Sequence, residues 1–294
     1  MLQSQGFKVT PVILSTRDNG FVYESMALLN QYNYVICKLE IDSSVYLLDA
    51  SNNKLGFGKL PVQCYNGSGR MVADVPYLVP LHTDSLLEEK RTTVFIVNNE
   101  QGKIEGAFNS ILGYYESLEL REKLPELKQD EFFKKIEKSY SAPLKIENYA
   151  LDSLKQYDFP IGVKYEFTID FNDEDLVYFT PLFTEAWKEN PFKNAERNYP
   201  VEMPYAINEL YILNMDIPKG YKVDELPKSA RVKLNDEDGM FEYLVVANNQ
   251  SIQLRCKLQI NKANFSPDDY ETLRNFFGFV VKKEAEQIVF KKVK

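Results

Sequence analysis

One histidine, His82, and three cysteines, Cys37, Cys64 and Cys256, are the only side chains in the 294 residues that offer an imidazole base or a thiol nucleophile. A thiolate that attacks an amide needs a neighbouring base or a lowered pKa, and the departing amine needs an acid. Any cysteine–histidine chemistry must therefore pass through His82. The same count removes His-rich metal sites, and three scattered cysteines are too few for a disulfide framework or a zinc site. No metal and no cofactor is expected. Cys64 precedes His82 by 18 residues, a separation that allows contact in space but matches no motif. His82, within Pro80-Leu-His-Thr-Asp84, reads as an exposed loop residue. The carboxylate in the most suggestive place is Asp49, at the end of the apolar run Tyr46-Leu-Leu.

The elements that would hold these groups follow from side-chain period. From Tyr34 to Ile41 residues alternate, with Val35, Cys37, Leu39 and Ile41 on one face and Tyr34, Ile36, Lys38 and Glu40 on the other. Asp42-Ser-Ser44 turns this strand into a second that ends at Asp49. Alternation points Cys37 away from Tyr34, so it is not a nucleophile for that side of the sheet. Before these strands, residues 1–6 read as a last helical turn stopped by Gly6, followed by a strand into Pro11-Val-Ile-Leu14; residues 21–31 read as a short helix or a covering loop. Arg17 and Asp18 suit a turn or a salt bridge. Asn66-Gly-Ser-Gly69 reads as a turn.

Beyond about residue 85 the pattern becomes strand-rich. Residues 92–97 and 103–112 form a predicted hairpin around Asn98–Gly102. Residues 114–138 switch to helical spacing, broken at Pro125, with Leu118, Leu124, Leu127, Phe132, Phe133 and Ile136 as the packed positions. Strands are expected at 144–151, 161–171, 176–182, 209–217, 230–234, 240–247, 251–262 and 287–293, with a short helix through Trp187. In the strand after Ser251, Cys256 alternates with polar neighbours as a small core residue. Ser266-Pro-Asp-Asp269 opens a helix expected to reach Lys283, with Leu273, Phe276, Phe277 and Val280 or Val281 packed inward.

Composition narrows the function classes. Net charge is −8, and the 19 Tyr and 19 Phe against a single Trp suit pleated, half-buried surfaces. An acidic chain without clustered Lys and Arg is a poor partner for nucleic acid. The terminal Lys291, Lys292 and Lys294 suit a solvated strand end. No apolar run approaches the roughly 18 residues of a transmembrane segment.

Two groups of motifs carry a family resemblance. Gly6-Phe7, Pro11-Val-Ile-Leu-Ser-Thr-Arg17, Gly20, Tyr32-Asn-Tyr-Val-Ile36 and Leu48-Asp-Ala-Ser51 are similar to the distal part of a transglutaminase-like cysteine-hydrolase core. Glu196-Arg-Asn-Tyr-Pro-Val201, Ile217-Pro-Lys-Gly-Tyr221, Glu225-Leu-Pro227 and residues 265–277 resemble the β-rich domain that follows that core in bacterial multidomain proteins common in the Bacteroidetes. The resemblance implies a Cys-His-Asp triad, with the histidine directly after an aromatic-Asn pair and the aspartate in a Leu-Asp-Ala-Thr motif. In this sequence those positions are Tyr34, after Tyr32-Asn33, and Asp49. The aspartate is present and the histidine is not, and the family's cysteine belongs to a helix upstream of residue 1. Tyr34 and Asp49 are therefore vestigial triad positions, with Arg17 and Asn33 as possible walls of a vestigial cleft. A phenol near its ordinary pKa of about 10 is a poor base at neutral pH.

The resulting expectation is an α+β, mostly β chain. Residues 1–84 would be a truncated transglutaminase-like antiparallel sheet. Residues 85–294 would be a β-sandwich-like domain with helices near 114–138 and 266–283. The leading functional reading is a non-catalytic interaction or scaffolding protein, whose exposed remnant core meets a protein partner or a second copy. One alternative is a fragment of a cysteine protease or acyltransferase whose Cys-bearing half lies upstream or on a partner chain. A second is a glycan-binding sandwich using Trp187, Tyr199 or Tyr205. The family is usually exported to the cell envelope, whereas an N-terminus without signal-peptide features, taken literally, is cytoplasmic; both compartments stay open.

Overall fold

A computed structural model describes residues 2–293 apart from Glu24, Ala27, Gly102, residues 125–127, Ser141, Ala142, Asn172 and Asp173. The fold is α+β and mostly β, as the alternation predicts. No helix among the described residues is long and apolar enough to cross a membrane. A turn over Gln3–Gln5, closed by Gly6 in the left-handed region, leads into β1 (Lys8–Leu14). Then come β2 (Tyr34–Ile41), β3 (Ser44–Leu48), β4 (Gly67–Met71) and β5 (Leu78–Leu81), which form one antiparallel sheet in the order β3-β2-β1-β4-β5. The turn expected at Asn66–Gly69 is instead the start of β4. Gly69 serves close packing there, since a Cβ on it would meet Val12 Cγ1 at 2.7 Å, whereas Gly67 takes a left-handed φ of 88° in open space. The strand pairing overrides local turn chemistry.

Register decides which face of this sheet is buried. Leu14 lies opposite Tyr34, and Val12 lies opposite both Ile36 and Met71. These residues share one side with Val79 and Leu81 and pack on Leu60 and Cys64 as a small core. The other side carries Pro11, Ile13, Val35 and Cys37, and Val35 is 62% exposed.

The chain then builds a larger unit. β6 (Leu87–Asn98) and β7 (Ile104–Ile111) form the expected hairpin, followed by α1 (Tyr114–Lys123), α2 (Gln129–Ser139), β8 (Leu144–Asp152), β9 (Gly162–Ile169) and β10 (Leu176–Phe179). The helical stretch is in two pieces; the break assigned to Pro125, and the packing of Leu127, lie outside the described residues. After β10 the helix expected through Trp187 is only a 3-10 turn at Phe183–Glu185. It is held by Phe183, whose φ of 54° is unusual for a residue with a side chain. The Phe183 ring packs within 5.2–5.7 Å of Tyr140, Phe167 and Phe179, which offsets that local cost. Next are β11 (Val201–Glu202), β12 (Ala206–Asp216), β13 (Tyr221–Glu225), β14 (Ala230–Asn235), β15 (Gly239–Ala247), β16 (Ser251–Ile260) and β17 (Asn264–Phe265). A capping box joins Ser266 and Asp269 ahead of α3 (Tyr270–Glu284), and β18 (Ile288–Lys292) follows.

Eight of these strands form one sheet in the order β14-β15-β16-β12-β6-β7-β9-β8, while β10, β18 and β13 form a three-stranded sheet. All eight pair antiparallel except β6 with β12, which run parallel with Lys90 opposite Glu209 and Thr92 opposite Tyr211. The inward face of the large sheet, the three-stranded sheet and α3 share the main core, apart from the core of the small five-stranded sheet β3-β2-β1-β4-β5. Phe277 sits fully buried in it against Trp187 and Phe192.

Phe277→Ala is expected to cost about 3–5 kcal/mol, while Val35→Ala on the open face should stay within about 0.5 kcal/mol. Urea unfolding of both variants checks the difference.

Candidate functional site

Two places bring reactive side chains together. The first is on the small sheet. Tyr34, first residue of β2, donates its phenol to Asp49 Oδ2 at 2.7 Å, and its oxygen lies 2.6 Å from Ser51 Oγ. Asp49, just past β3, also accepts the Ser51 backbone N–H at 2.8 Å. The motif Leu48-Asp-Ala-Ser51 closes on Tyr34 because β2 and β3 are adjacent and Asp49 follows the last paired residue. Burial raises the Tyr34 phenol above its ordinary pKa, with the neighbouring Asp49 adding to the shift against the Ser51 bond. A phenol so held does not accept a proton at neutral pH.

Cys64 completes this neighbourhood. It lies in the 3-10 turn Val62–Cys64, fully buried under the small sheet, and its thiol is pushed up to about 12 by burial and by the Asp49 charge. A thiol in that state is inert. His82 is exposed before the turn Thr83–Ser85, where its carbonyl accepts from Ser85, and no contact joins it to Cys64 among the described residues. Arg17 and Asn33 use their polar groups elsewhere. Arg17 donates to the carbonyls of Glu202 at 2.6 Å and Met203 at 3.2 Å, tying the small sheet to the larger unit. Asn33 brackets Thr16, accepting its N–H at 2.9 Å and donating to its hydroxyl at 2.7 Å. Cys37 is half-buried on the opposite face, and Cys256 is buried in the main core.

The second place was missed in the sequence. It is a cavity of about 320 Å³ on the inward face of the large sheet. Its floor comes from β6, β12 and β16, whose register sets Lys90 beside Glu209 and Tyr211 beside Cys256. Residues 182–187 and the end of α3 cover it, and α1 and Tyr205 flank it. Lys90 is saturated by two carboxylates, Glu116 at 2.9 Å and Glu185 at 2.8 Å. Glu88 accepts the first α1 amides, from Glu116 at 2.9 Å and Tyr115 at 3.2 Å, which suits the positive end of a helix. Gly113 leaves room for that carboxylate, since a Cβ there would lie 2.0 Å from Glu88 Oε1.

Trp187 is fixed by two further glutamates. Its indole donates to Glu209 Oε2 at 3.1 Å, and its backbone N–H donates to Glu284 Oε2 at 2.7 Å. The Cys256 thiol donates to Glu284 Oε1 at 3.5 Å. Burial raises Glu209 above its ordinary range and lifts Glu284 to about 7. A readable signal existed: Glu88, Lys90 and Thr92 alternate on the same face as Val94 and Ile96, so charge continues into a core-facing register. Of the aromatics considered for ligand binding, Trp187 and Tyr205 line this cavity, while Tyr199 is 77% exposed away from it.

Comparisons with known proteins add the following. Residues 175–290 match a family model described as a domain of unknown function with a solved structure, DUF3858. A solved structure described as a putative protease from Parabacteroides distasonis aligns over 99% of this chain at 11% identity and a TM-score of 0.49. This chain spans 41% of that protein's length. No curated protein matches the sequence. The matched segment supplies Glu185, Trp187, Glu209, Cys256 and Glu284 to the cavity, whereas the Tyr34 cluster lies outside it.

A buried acid with a raised pKa favours folding in its protonated form. The contribution of Glu284 is therefore complete below the ordinary glutamate pKa and is lost as pH rises through about 7. Unfolding free energy should fall between pH 4.5 and pH 8 by a component on the order of 2–3 kcal/mol, and Glu284→Gln should remove that component. Urea titrations of both proteins at the two pH values measure it.

Proposed function

We propose that the chain is a non-catalytic interaction protein built on a degenerate transglutaminase-like remnant. The observation that carries this reading is the Tyr34–Asp49 hydrogen bond of 2.7 Å, with no histidine at the base position. The aspartate that would orient an imidazole instead holds a phenol, and the thiol nearest to the pair is fully buried with its pKa pushed up to about 12. Neither proton abstraction nor thiolate attack is available to such a set. In this reading the chain is the C-terminal part of a multidomain envelope protein of the Bacteroidetes type, which rests on the sequence motifs.

The open side of the small sheet supports the interaction role. Between residues 2–3 and residues 55–59 it carries a groove of about 820 Å³ lined by Val9, Pro11, Val35, Leu48 and Phe57. Val35 and Phe57 are 62% and 59% exposed, and contiguous apolar surface of this kind marks protein contacts. The occupant of the groove is a protein surface, and a second copy of this chain is the one tested first.

An apolar dye such as anilinonaphthalene sulfonate should bind the folded protein at this face and lose most of its emission with Val35→Lys. Sedimentation should show wild-type self-association that the same substitution weakens. A monodisperse monomer that binds no dye overturns the proposal.

A further inference from the structure

The cavity between the large sheet and residues 182–187 is not used by the reading of the small sheet, and its chemistry is distinctive. Six glutamates face it, against one lysine. That acidic excess disfavours an anion there. Lys90 is already shared by Glu116 and Glu185. Glu209 and Glu284 have no ion-pair partner among the described residues, although Glu284 is only 5% exposed. Burying both carboxylates in charged form is costly, and a cation between them would let them ionise in place. No group of described His, Cys, Asp or Glu side chains converges closely enough to hold a metal ion. The rest of the wall is aromatic: Trp187, pinned by its two hydrogen bonds, and Tyr205, stacked on Tyr115 at 5.7 Å. Carboxylates and aromatic rings lining one cavity are the pairing that recognises an organic cation.

We propose that this cavity binds an organic cation, an ammonium or guanidinium head on a short aliphatic stem, with the head between the Glu209 and Glu284 carboxylates and the stem along the Trp187 and Tyr205 rings. A volume of about 320 Å³ suits a ligand of that size, at the small end of known pockets. The head supplies the counter-charge with which Glu209 and Glu284 ionise, and the aromatic wall covers the stem. Free diamines and the lysine or arginine side chain of a peptide share this chemistry.

The test uses the protein's single tryptophan as its own reporter. Trp187 emission is followed at constant pH while 1,4-diaminobutane, Gly-Lys-Gly or Gly-Arg-Gly is added, up to about 10 mM. Calorimetry supplies an independent reading, and 1,4-butanediol is the uncharged control. The expected result is a saturable change with at least one cationic probe and none with the diol. Tighter binding of the diamine identifies a free amine as the ligand, and tighter binding of a tripeptide identifies a peptide side chain; both support the proposal. Glu209→Gln should weaken binding by about tenfold or more, the loss of one charge-assisted contact. Circular dichroism checks that variant's fold, and Tyr205→Leu, which should also weaken binding, is the second variant if the first does not fold. The proposal is overturned by the absence of saturable binding of any cationic probe, by equal binding of the diol, by an undiminished affinity in both variants, or by a response to calcium chloride where the amines give none.

Discussion

The parallel pairing of β6 with β12 is the constraint on which most of the structure depends. It joins two antiparallel groups, β6-β7-β9-β8 and β12-β16-β15-β14, into one eight-stranded sheet. A parallel neighbour requires a long crossover, and here the connection from β6 to β12 contains both early helices, β7 to β11 and the turn before Trp187. That excursion places Glu185 and Trp187 back over the sheet that β6 began. A slip of one residue in the pairing would turn Lys90 and Glu209 to opposite faces and dismantle the cavity.

The two clusters of polar groups differ in what surrounds them. On the small sheet, Tyr34, Asp49 and Ser51 satisfy one another at the rim of a compact core, and the thiol beneath them is sealed. Each donor there has a partner, so the arrangement is at rest and holds β2 to the segment after β3. On the large sheet, negative charge exceeds positive charge in the interior, and burial shifts Glu209 and Glu284 toward their neutral forms. The first cluster is closed by its own partners, and the second holds more acids than its one lysine pairs with.

Local patterns made much of this legible. Alternation from Tyr34 to Ile41, the polar turn after it and the serine cap before α3 are short-range features, and each appears where the residues placed it. The Tyr34 and Asp49 positions were paired through the family resemblance, and two adjacent strands do bring them together with little intervening chain. What failed to be legible depends on distant partners. Gly67 and Gly69 read as a turn, but pairing with β5, and of Gly69 also with β1, recruits them as a strand in which Gly69 admits Val12. The residues around Trp187 read as helix, but the buried ring of Phe183 fixes a tighter turn. The cavity was missed because Glu88 and Lys90 are separated from Glu209 by over a hundred residues, and only the parallel register makes them neighbours.

The central claim is that the Tyr34 cluster cannot generate a nucleophile. The rate of Cys64 alkylation by iodoacetamide in the native protein, followed against pH by peptide mass spectrometry, tests it most directly. Cys64 should stay unmodified through pH 9 while the half-buried Cys37, whose thiol burial also raises, reacts first, because the Cys64 thiol is sealed and pushed up to about 12. Rapid modification of Cys64 with a midpoint below pH 8, slowed by Asp49→Asn, would contradict it and return the cluster to the class of working thiol sites.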